Sequence, residues 1–329
     1  MTKKNPGAGS GTDTPGLTHA GTYLPEQLRQ ETAKRKRKRL VPESISTLIQ
    51  RGLEIEAEEA LDAGALAFMC RVMVMASLPH SHIAGSEFER RNGAFTLSIL
   101  ARSQVGLPYG TIPRLLLCWL TTEAVKTQNR ELVLGDSLSA FMRQLGLEAT
   151  GGANGSIGRL KNQSRRLFGS TITATYEGVD RTAEMGYRIA DGSMLWWNAK
   201  NPAQGSLWES TVTLTEKFFN EVTARPVPID LRALRELKRS PLTLDVYVWL
   251  TFRMSYLKKP SEVSWGALQG QFGANYAQTP TGLRHFKAEF IKALAKVSEV
   301  YRGAKANPTA TGLQLAPGRP HIRKLTGIQ

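Results

Sequence analysis

Hydrophobic positions recur at helical spacing in two stretches of the chain that resemble each other. One apolar helical pattern ends at Trp119-Leu120-Thr121 and the other at Trp249-Leu250-Thr251. Gln144-Leu145-Gly146 and Gln271-Phe272-Gly273 follow at similar distances, and after each glycine come a polar loop and a basic amphipathic segment. The pattern predicts one structural unit repeated in tandem; shared helical patterning without a repeat is the alternative interpretation.

The first repeat starts near Phe95 and alternates between helical patterns and short β-prone runs. A polar residue caps its second helix, and the loop before its basic helix contains three glycines. The predicted elements are helices at 112–125, 138–145 and 157–168, a short strand at 131–134, and hairpin strands at 171–176 and 187–198. Three helices, a short strand and a closing hairpin make a winged helix, in which the hairpin is the wing.

The second repeat has the same order of elements. Thr279 and Pro280 offer an N-cap and a first-turn proline for its long basic helix. The predicted elements are a helix through 247–254, a short strand at 262–264, a helix at 265–272, a basic helix at 283–297, and strands at 299–301 and 313–315. The predicted fold class is therefore α+β and mostly helical, with tandem winged-helix domains that carry short β-hairpin wings.

Composition divides the chain into four segments. The first residues hold few large apolar side chains and end in six consecutive cations, Lys34 to Arg39, so disorder is expected there. A second helical pattern runs from Ile55 to Met75. The predicted segments are a disordered basic N-terminal extension at 1–41, a helical N-terminal segment at 42–94, a first winged-helix domain at 95–205 and a second at 206–329.

The formal net charge of +15 favours a polyanionic partner. Acidic residues at 43–70 offset most of the excess in the N-terminal extension, which leaves about +14 on residues 71–329, where the repeats lie. The excess is therefore not confined to a basic tail. With 41% hydrophobic residues the chain can also form proper cores.

The basic segment of the first repeat has the side-chain arrangement that a groove-reading helix needs. At about 100° per residue, Arg159, Asn162 and Arg166 fall opposite the apolar stripe. Arg can pair bidentately with guanine and Asn with adenine, so these side chains are predicted to read base edges. Lys161 and Arg165 lie on one flank and are predicted to contact phosphates.

The second basic segment has a comparable arrangement. Arg284, His285 and Lys292 face away from a continuous apolar stripe, and Lys287 flanks that polar face. Thr281 and Arg284 lie near the N-terminal end of the helix, the end that enters a groove first. Both repeats are therefore predicted to bind double-stranded DNA, and ordinary helices with solvated basic faces are the alternative interpretation.

Signals for catalysis are weak. His80-Ser81-His82 superficially resembles the paired histidines of relaxases and rolling-circle nicking enzymes, but a proline precedes the pair and no third histidine is nearby. The glycine-rich run at 151–155 belongs to no G-x-x-x-x-G-K-[ST] motif, so nucleotide hydrolysis is not expected. The prediction therefore contains no catalytic residues, no metal ligands and no cofactor.

Cysteine usage and hydropathy bear on location. Cys70 and Cys118 lie in apolar runs, as is typical of buried, reduced thiols in a cytosolic protein. The most hydrophobic window, 65–78, is interrupted by Arg71 and is too short to cross a bilayer. No secretory signal opens the sequence. A cytoplasmic protein without membrane contact is expected.

Several runs of residues carry a resemblance to a known family. They are Leu78 to His80, Arg91 to Leu97, Gly106 to Leu117, Thr121 to Val125 and Gly135 to Ser139. Together these runs resemble the RepA-type plasmid replication initiators of Gram-negative bacteria. The likeness covers approximately residues 55–325 and is looser after Trp208.

The resemblance implies a bacterial cytoplasmic protein that binds repeated sequences, called iterons, at a plasmid origin. It also implies opening of the neighbouring AT-rich duplex, recruitment of the host initiator and replicative helicase, and, as a homodimer, repression of the protein's own promoter. A sequence-specific transcriptional repressor of the same fold is the first alternative. An origin-nicking endonuclease is the second.

Overall fold

The computed structural model describes residues 43–152, 155–194, 210–273 and 275–323. The predicted N-terminal extension at 1–41, with its run Lys34 to Arg39, lies outside the described residues, as do Trp196 and Trp197 of the predicted wing. From Thr47 onward the chain forms one compact unit.

Helices and short strands alternate along the chain. The helices are α1 (Glu43–Ala57), α2 (Arg71–Met75), α3 (Thr111–Thr127), α4 (Leu138–Gln144), α5 (Ser156–Phe168), α6 (Glu216–Ala224), α7 (Leu231–Leu237), α8 (Pro241–Tyr256), α9 (Trp265–Phe272) and α10 (Pro280–Val300). The strands are β1 (Leu66–Met69), β2 (Glu87–Asn92), β3 (Phe95–Leu100), β4 (Glu131–Val133), β5 (Thr171–Glu177), β6 (Thr182–Arg188), β7 (Ala190–Met194), β8 (Thr211–Leu214), β9 (Val227–Asp230), β10 (Ser261–Ser264), β11 (Lys305–Pro308) and β12 (Gly312–Ala316). The predicted α+β class is confirmed.

In the second half of the chain, α8, α9 and α10 are followed by a small antiparallel sheet. β10 pairs with β12 and β12 with β11, so the order across the sheet is β10-β12-β11. Leu313 and Leu315 of the central strand are fully buried because alternate strand residues face the core. The predicted strand at 299–301 is wrong, since α10 continues through the buried Val300 and the next strand begins only at Lys305.

The first half repeats the order of helices and strands, but its strands pair differently. The hairpin β5-β6 joins the hairpin β2-β3 in a sheet of order β2-β3-β5-β6, whereas β4 pairs with β8 and β8 with β7. Strand pairing crosses both predicted domain boundaries, at 94/95 and at 205/206. The first cuts the β2-β3 hairpin, and the second separates β8 from β4, to which backbone hydrogen bonds join it.

The N-terminal segment at 42–94 is less helical than predicted. α1 ends at Ala57, and the predicted helix at 55–75 gives way to β1 and the short α2. β1 pairs antiparallel with the distant β9, so that Ala67 lies opposite Ile229. This long-range pairing, together with packing of β1 on α3, overrides the local helical spacing.

The two repeats share an aromatic contact in their cores. Trp119 of α3 lies edge-on to Phe141 of α4, with ring centroids 5.0 Å apart. Trp249 of α8 lies edge-on to Phe272 of α9, with centroids 5.6 Å apart. Edge-to-face pairs stabilise a core by about 0.5–1.5 kcal/mol beyond the burial of the rings. Each repeat thus packs a tryptophan of its first helix against a phenylalanine of its second, although Phe272 corresponds to Leu145 and not to Phe141 when the two repeats are aligned.

A buried ion cluster joins the two halves. Arg114 of α3 donates from Nε and Nη2 to the two carboxylate oxygens of Asp245 of α8, each at 2.7 Å. His80 Nε2 lies 2.7 Å from the same carboxylate, and Arg114 also donates to the carbonyl oxygens of Leu78 and Gly110. Burial by itself would raise the pKa of Asp245, but the charge of Arg114 and the hydrogen bonds outweigh it and the pKa is lowered.

A close approach of two helices at Gly52 allows α1 to pack against α10. A Cβ atom at Gly52 would lie well inside van der Waals contact with the backbone carbonyl oxygen of Glu299. Gly52→Ala is therefore expected to displace α1 and to cost about 1–3 kcal/mol, the usual range for an overpacked contact. Faster amide hydrogen exchange in residues 47–57 would show it, and Gly158→Ala, at an exposed helical glycine with open space around it, is the matched control.

Candidate nucleic-acid interface

Helix α5 buries one side and exposes a basic face, as its sequence pattern predicts. Apolar residues from Ile157 to Phe168 form the buried side, and Ser164 is buried among them. Arg159, Lys161, Asn162 and Arg165 are exposed, and no neighbouring acid pairs with them among the described residues. Hydrogen-bond donors thus face solvent over the middle two turns of α5, from Arg159 to Arg165.

Arg166 differs from its predicted role. Its Nε donates to Oδ1 of Asn162 at 2.7 Å and its Nη1 to the carbonyl oxygen of Leu107 at 3.0 Å. The guanidinium also lies over the ring of Tyr109, 5.4 Å from the centroid. Because these contacts hold the half-buried Arg166 against Asn162 and Leu107, it orients Asn162 instead of standing free to reach a base.

Helix α10 begins at a well-formed cap. Thr279 Oγ1 accepts a hydrogen bond from the backbone N–H of Gly282 at 3.1 Å, as predicted for an N-cap. Thr281, Arg284 and His285 are exposed in the first two turns, and Arg284 Nη2 lies 3.4 Å from Oγ1 of Thr281. The N-terminal end of the helix therefore presents to solvent a histidine ring and a guanidinium that is hydrogen-bonded to the neighbouring hydroxyl of Thr281.

The two predicted lysines of α10 have different surroundings. Lys287 Nζ donates to the carbonyl oxygens of Thr309 and Ala310 in the β11-β12 turn, and it lies 4.8 Å from the centroid of the Trp265 ring. Lys292 is exposed and forms an ion pair with Glu289 at 2.7 Å. Lys287 thus ties the hairpin to the helix, while Lys292 has a solvent-exposed and weak partner.

Sequence reasoning missed Tyr109 and Trp265. Each supplies an aromatic ring against which one cation of the basic helix rests, Arg166 in the first repeat and Lys287 in the second. A cation–π contact of this kind stabilises the position of the cation by about 0.5–2 kcal/mol. Both rings lie far from the basic helix in sequence, and no periodic pattern could have paired them.

The surroundings of the histidines and cysteines carry no sign of metal or redox chemistry in the described ranges. Within those ranges no group of three His, Cys, Asp or Glu side chains is placed to hold a metal ion. His80 is bound to Asp245, and His82 lies edge-on to Tyr109. Burial raises the pKa of both cysteine thiols to about 12. Across the same part of the chain, no helix has the length and apolarity that a bilayer crossing requires.

One family model matches part of the chain. Residues 107–266 match the family model described as plasmid encoded RepA protein. This confirms the resemblance to RepA-type plasmid replication proteins over a segment that contains α3, α4, α5, α8 and β10. No curated protein sequence matches the chain.

Two solved structures show a distant likeness. A crystal structure of domain 2 and domain 3 of RctB, from selenomethionine derivatives, aligns with a TM-score of 0.49 at 12% identity, covering 75% of this chain and 97% of that chain. A second crystal structure of RctB domains 2-3 aligns with a TM-score of 0.46 at 12% identity, covering 75% and 96%.

Proposed function

We propose that the chain is a plasmid replication initiator that binds DNA through two winged-helix modules, with α5 and α10 as the reading helices. One observation carries the proposal: each repeat exposes a basic helix after a shorter helix, with Arg159 and Arg284 facing solvent. An arginine turned into the core would have removed the donor that base recognition needs. The RepA family match over residues 107–266 supports the plasmid role.

Different side chains of the two modules contact bases, contact phosphates or hold the reading helices in place. Arg159 and Asn162 in α5 and Thr281, Arg284 and His285 in α10 read base edges. Arg166 and Lys287 hold the reading helices in place through their internal contacts. The remaining cations bind phosphates, which positions the protein without selecting a sequence; they are Lys161, Arg165 and Lys292.

The DNA sites, the host partners and the steps that follow binding are assigned from the resemblance to the RepA family. The sites are iterons at the plasmid origin, and a monomer places its two modules on successive major-groove faces about one helical turn apart. Binding promotes duplex opening and recruits the host initiator and replicative helicase in the bacterial cytoplasm, and a homodimer represses the initiator's own promoter. The initiator itself is not an enzyme and needs no metal or cofactor.

Substituting the reading arginines tests base recognition. Arg159→Ala and Arg284→Ala are each expected to weaken binding to the cognate repeat about 10- to 100-fold, because a bidentate contact to guanine contributes about 1–3 kcal/mol of discrimination. Binding to a scrambled duplex should fall only severalfold. Footprinting on DNA flanking the gene supplies the cognate repeat, and Arg225→Ala, an exposed arginine at the end of α6, is the control. Equal losses on both duplexes would mean that these side chains contact only phosphate.

Two experiments separate the initiator from its alternatives. Deleting the gene should abolish plasmid replication, and expression in trans should restore it; a plasmid that replicates without the gene would favour the repressor. Incubation with supercoiled origin DNA and a divalent metal ion should leave the DNA intact. A site-specific nick or a covalent tyrosine adduct would overturn the non-enzymatic assignment.

A further inference from the structure

A basic cleft lies beside the C-terminal half of α5. It has a volume of about 480 Å³, and its walls come from α5, from the end of β6, from β7 and from the loop after β3. Four cations line it: Lys161 and Arg165 on α5, Arg102 in the loop and Arg188 at the end of β6. The last two are remote from α5 in sequence, so the fold alone brings the four together.

Among the residues that the structure describes, the acids of this cleft do not balance its cations. Asp191 is the one acid among its lining residues, and its carboxylate is already paired with Arg130 at 2.8 Å. Lys161 and Arg165 lie four residues apart on one helix face, an arrangement in which the two like charges repel each other. The cleft therefore offers four cations to an anion from outside.

The two cations that come from outside α5 are positioned by backbone contacts. Arg188 Nη2 donates to the carbonyl oxygen of Phe168 at 3.2 Å, at the C-terminal end of α5. The carbonyl oxygen of Arg102 accepts hydrogen bonds from the N–H groups of Val105 and Gly106, each at 2.9 Å. That loop then continues to Leu107, whose carbonyl oxygen holds Arg166. The cleft and the reading face of α5 are thus fixed by the same loop.

We propose that this cleft binds consecutive backbone phosphates of the DNA duplex whose bases α5 reads, with Arg102 and Arg188 forming the wall opposite Lys161 and Arg165. The inference rests on the proposed function. A linear polyanion fits because the cations come from separate walls along an open cleft, and because Lys161 and Arg165 flank Arg159 and Asn162 on one helix. Arginine is suited to phosphate through its fork of donors.

The double variant Arg102→Gln/Arg188→Gln tests the cleft. Each phosphate contact removed should reduce the slope of log affinity against log salt by about 0.9, so the double variant should lose about 1.8. The affinities for the cognate and the scrambled duplex should fall by the same factor, roughly 10-fold or more near 0.15 M salt. The ratio of the two affinities should therefore stay unchanged. Lys217→Gln/Arg225→Gln removes two exposed cations of α6 that do not line the cleft, and it should leave most of the slope intact.

A variant that is expected to raise the duplex affinity separates an effect of charge from a loss of folding. Asp191→Asn removes the acid at the rim and releases Arg130, so duplex affinity should rise about two- to fivefold at low salt. A misfolded variant would bind more weakly. An unchanged affinity in Asp191→Asn together with an unchanged slope in the Gln variant would overturn the proposal.

The source of the phosphate is tested separately with inorganic pyrophosphate. If the wild type binds pyrophosphate, the Gln variant does not, and duplex binding is the same in both, the cleft serves a free anion and the proposal is wrong. Failure of the proposed function has a different signature: the wild type would then show no preference for the footprinted repeat, and Arg159→Ala would change cognate and scrambled binding alike.

Discussion

Asp245→Asn is expected to lower the free energy of unfolding by about 3–5 kcal/mol, because it leaves the buried guanidinium of Arg114 without its counter-charge. The carboxylate of Asp245 binds Arg114 through both oxygens and His80 through one, and all three side chains are almost fully buried. Asparagine keeps the shape of the side chain but turns one acceptor into a donor that faces Arg114 or His80. Chemical denaturation at neutral pH measures the loss.

Asp191→Asn is the matched control for this prediction. Its ion pair with Arg130 has the same kind of geometry at 2.8 Å, but both partners are well exposed. Exposed pairs contribute about 0–1 kcal/mol, so the control should remain close to the wild type. If both variants lost the same small amount of unfolding free energy, solvent would have to reach Asp245, and the ion cluster would not be a buried contact between the two halves.

A double-mutant cycle tests whether the loss of stability comes from the ion pair between Arg114 and Asp245. Arg114→Met removes the guanidinium, and in combination with Asp245→Asn it should cost clearly less than the sum of the two single changes, because neither variant then leaves the other's charge unpaired. Additive losses would show that the residues act separately. Since Arg114 lies on α3 and Asp245 on α8, coupling between them is coupling between the two repeats.

The elements that could be predicted from the sequence are those whose signals are local. α9 begins and ends where the pattern places it, and Thr279 caps α10 as expected, because periodicity and capping depend on residues a few positions apart. The exposure of Arg159 and Arg284 follows from the same helical periodicity. A basic face could therefore be assigned to each repeat without coordinates.

The features that could not be predicted depend on contacts between distant segments. β1 is a strand because β9 offers it a hydrogen-bonding edge, although its sequence continues a helical spacing. The pairing of β8 with β4, which crosses the predicted boundary at 205/206, depends on the same kind of long-range contact. Arg166 looked like a base reader on a helical wheel, and only the fold brings Leu107 and Tyr109 beside it.

Acidification should destabilise the protein between pH 6.5 and about 4 through His321. Burial lowers the pKa of His321 from 6.5 to about 4. Its ring is stacked on Tyr301 with centroids 4.5 Å apart, and its Nδ1 lies 2.9 Å from the hydroxyl oxygen of Tyr247. Protonation would place a charge among buried rings.

Acidification lowers stability because the unfolded chain binds a proton at His321 at a higher pH than the folded chain does. The unfolded chain binds a proton at His321 as the pH falls through 6.5, whereas the folded chain resists protonation until about pH 4. The stability of the neutral form is therefore complete above pH 6.5 and is lost progressively below it, up to about 3 kcal/mol by pH 4. The pKa of His80 is also lowered, mainly by burial, and adds a loss of the same sign.

His321→Asn isolates this contribution because its amide can keep a polar atom near Nδ1 while removing the titration. The variant will be less stable at neutral pH through lost stacking, so the comparison is between slopes: urea unfolding from pH 7 to 4 should show a change about 3 kcal/mol smaller than in the wild type. His285→Asn, on the exposed face of α10, should keep the wild-type slope. If His321→Asn kept the wild-type slope as well, His321 would have to titrate alike in the folded and unfolded states.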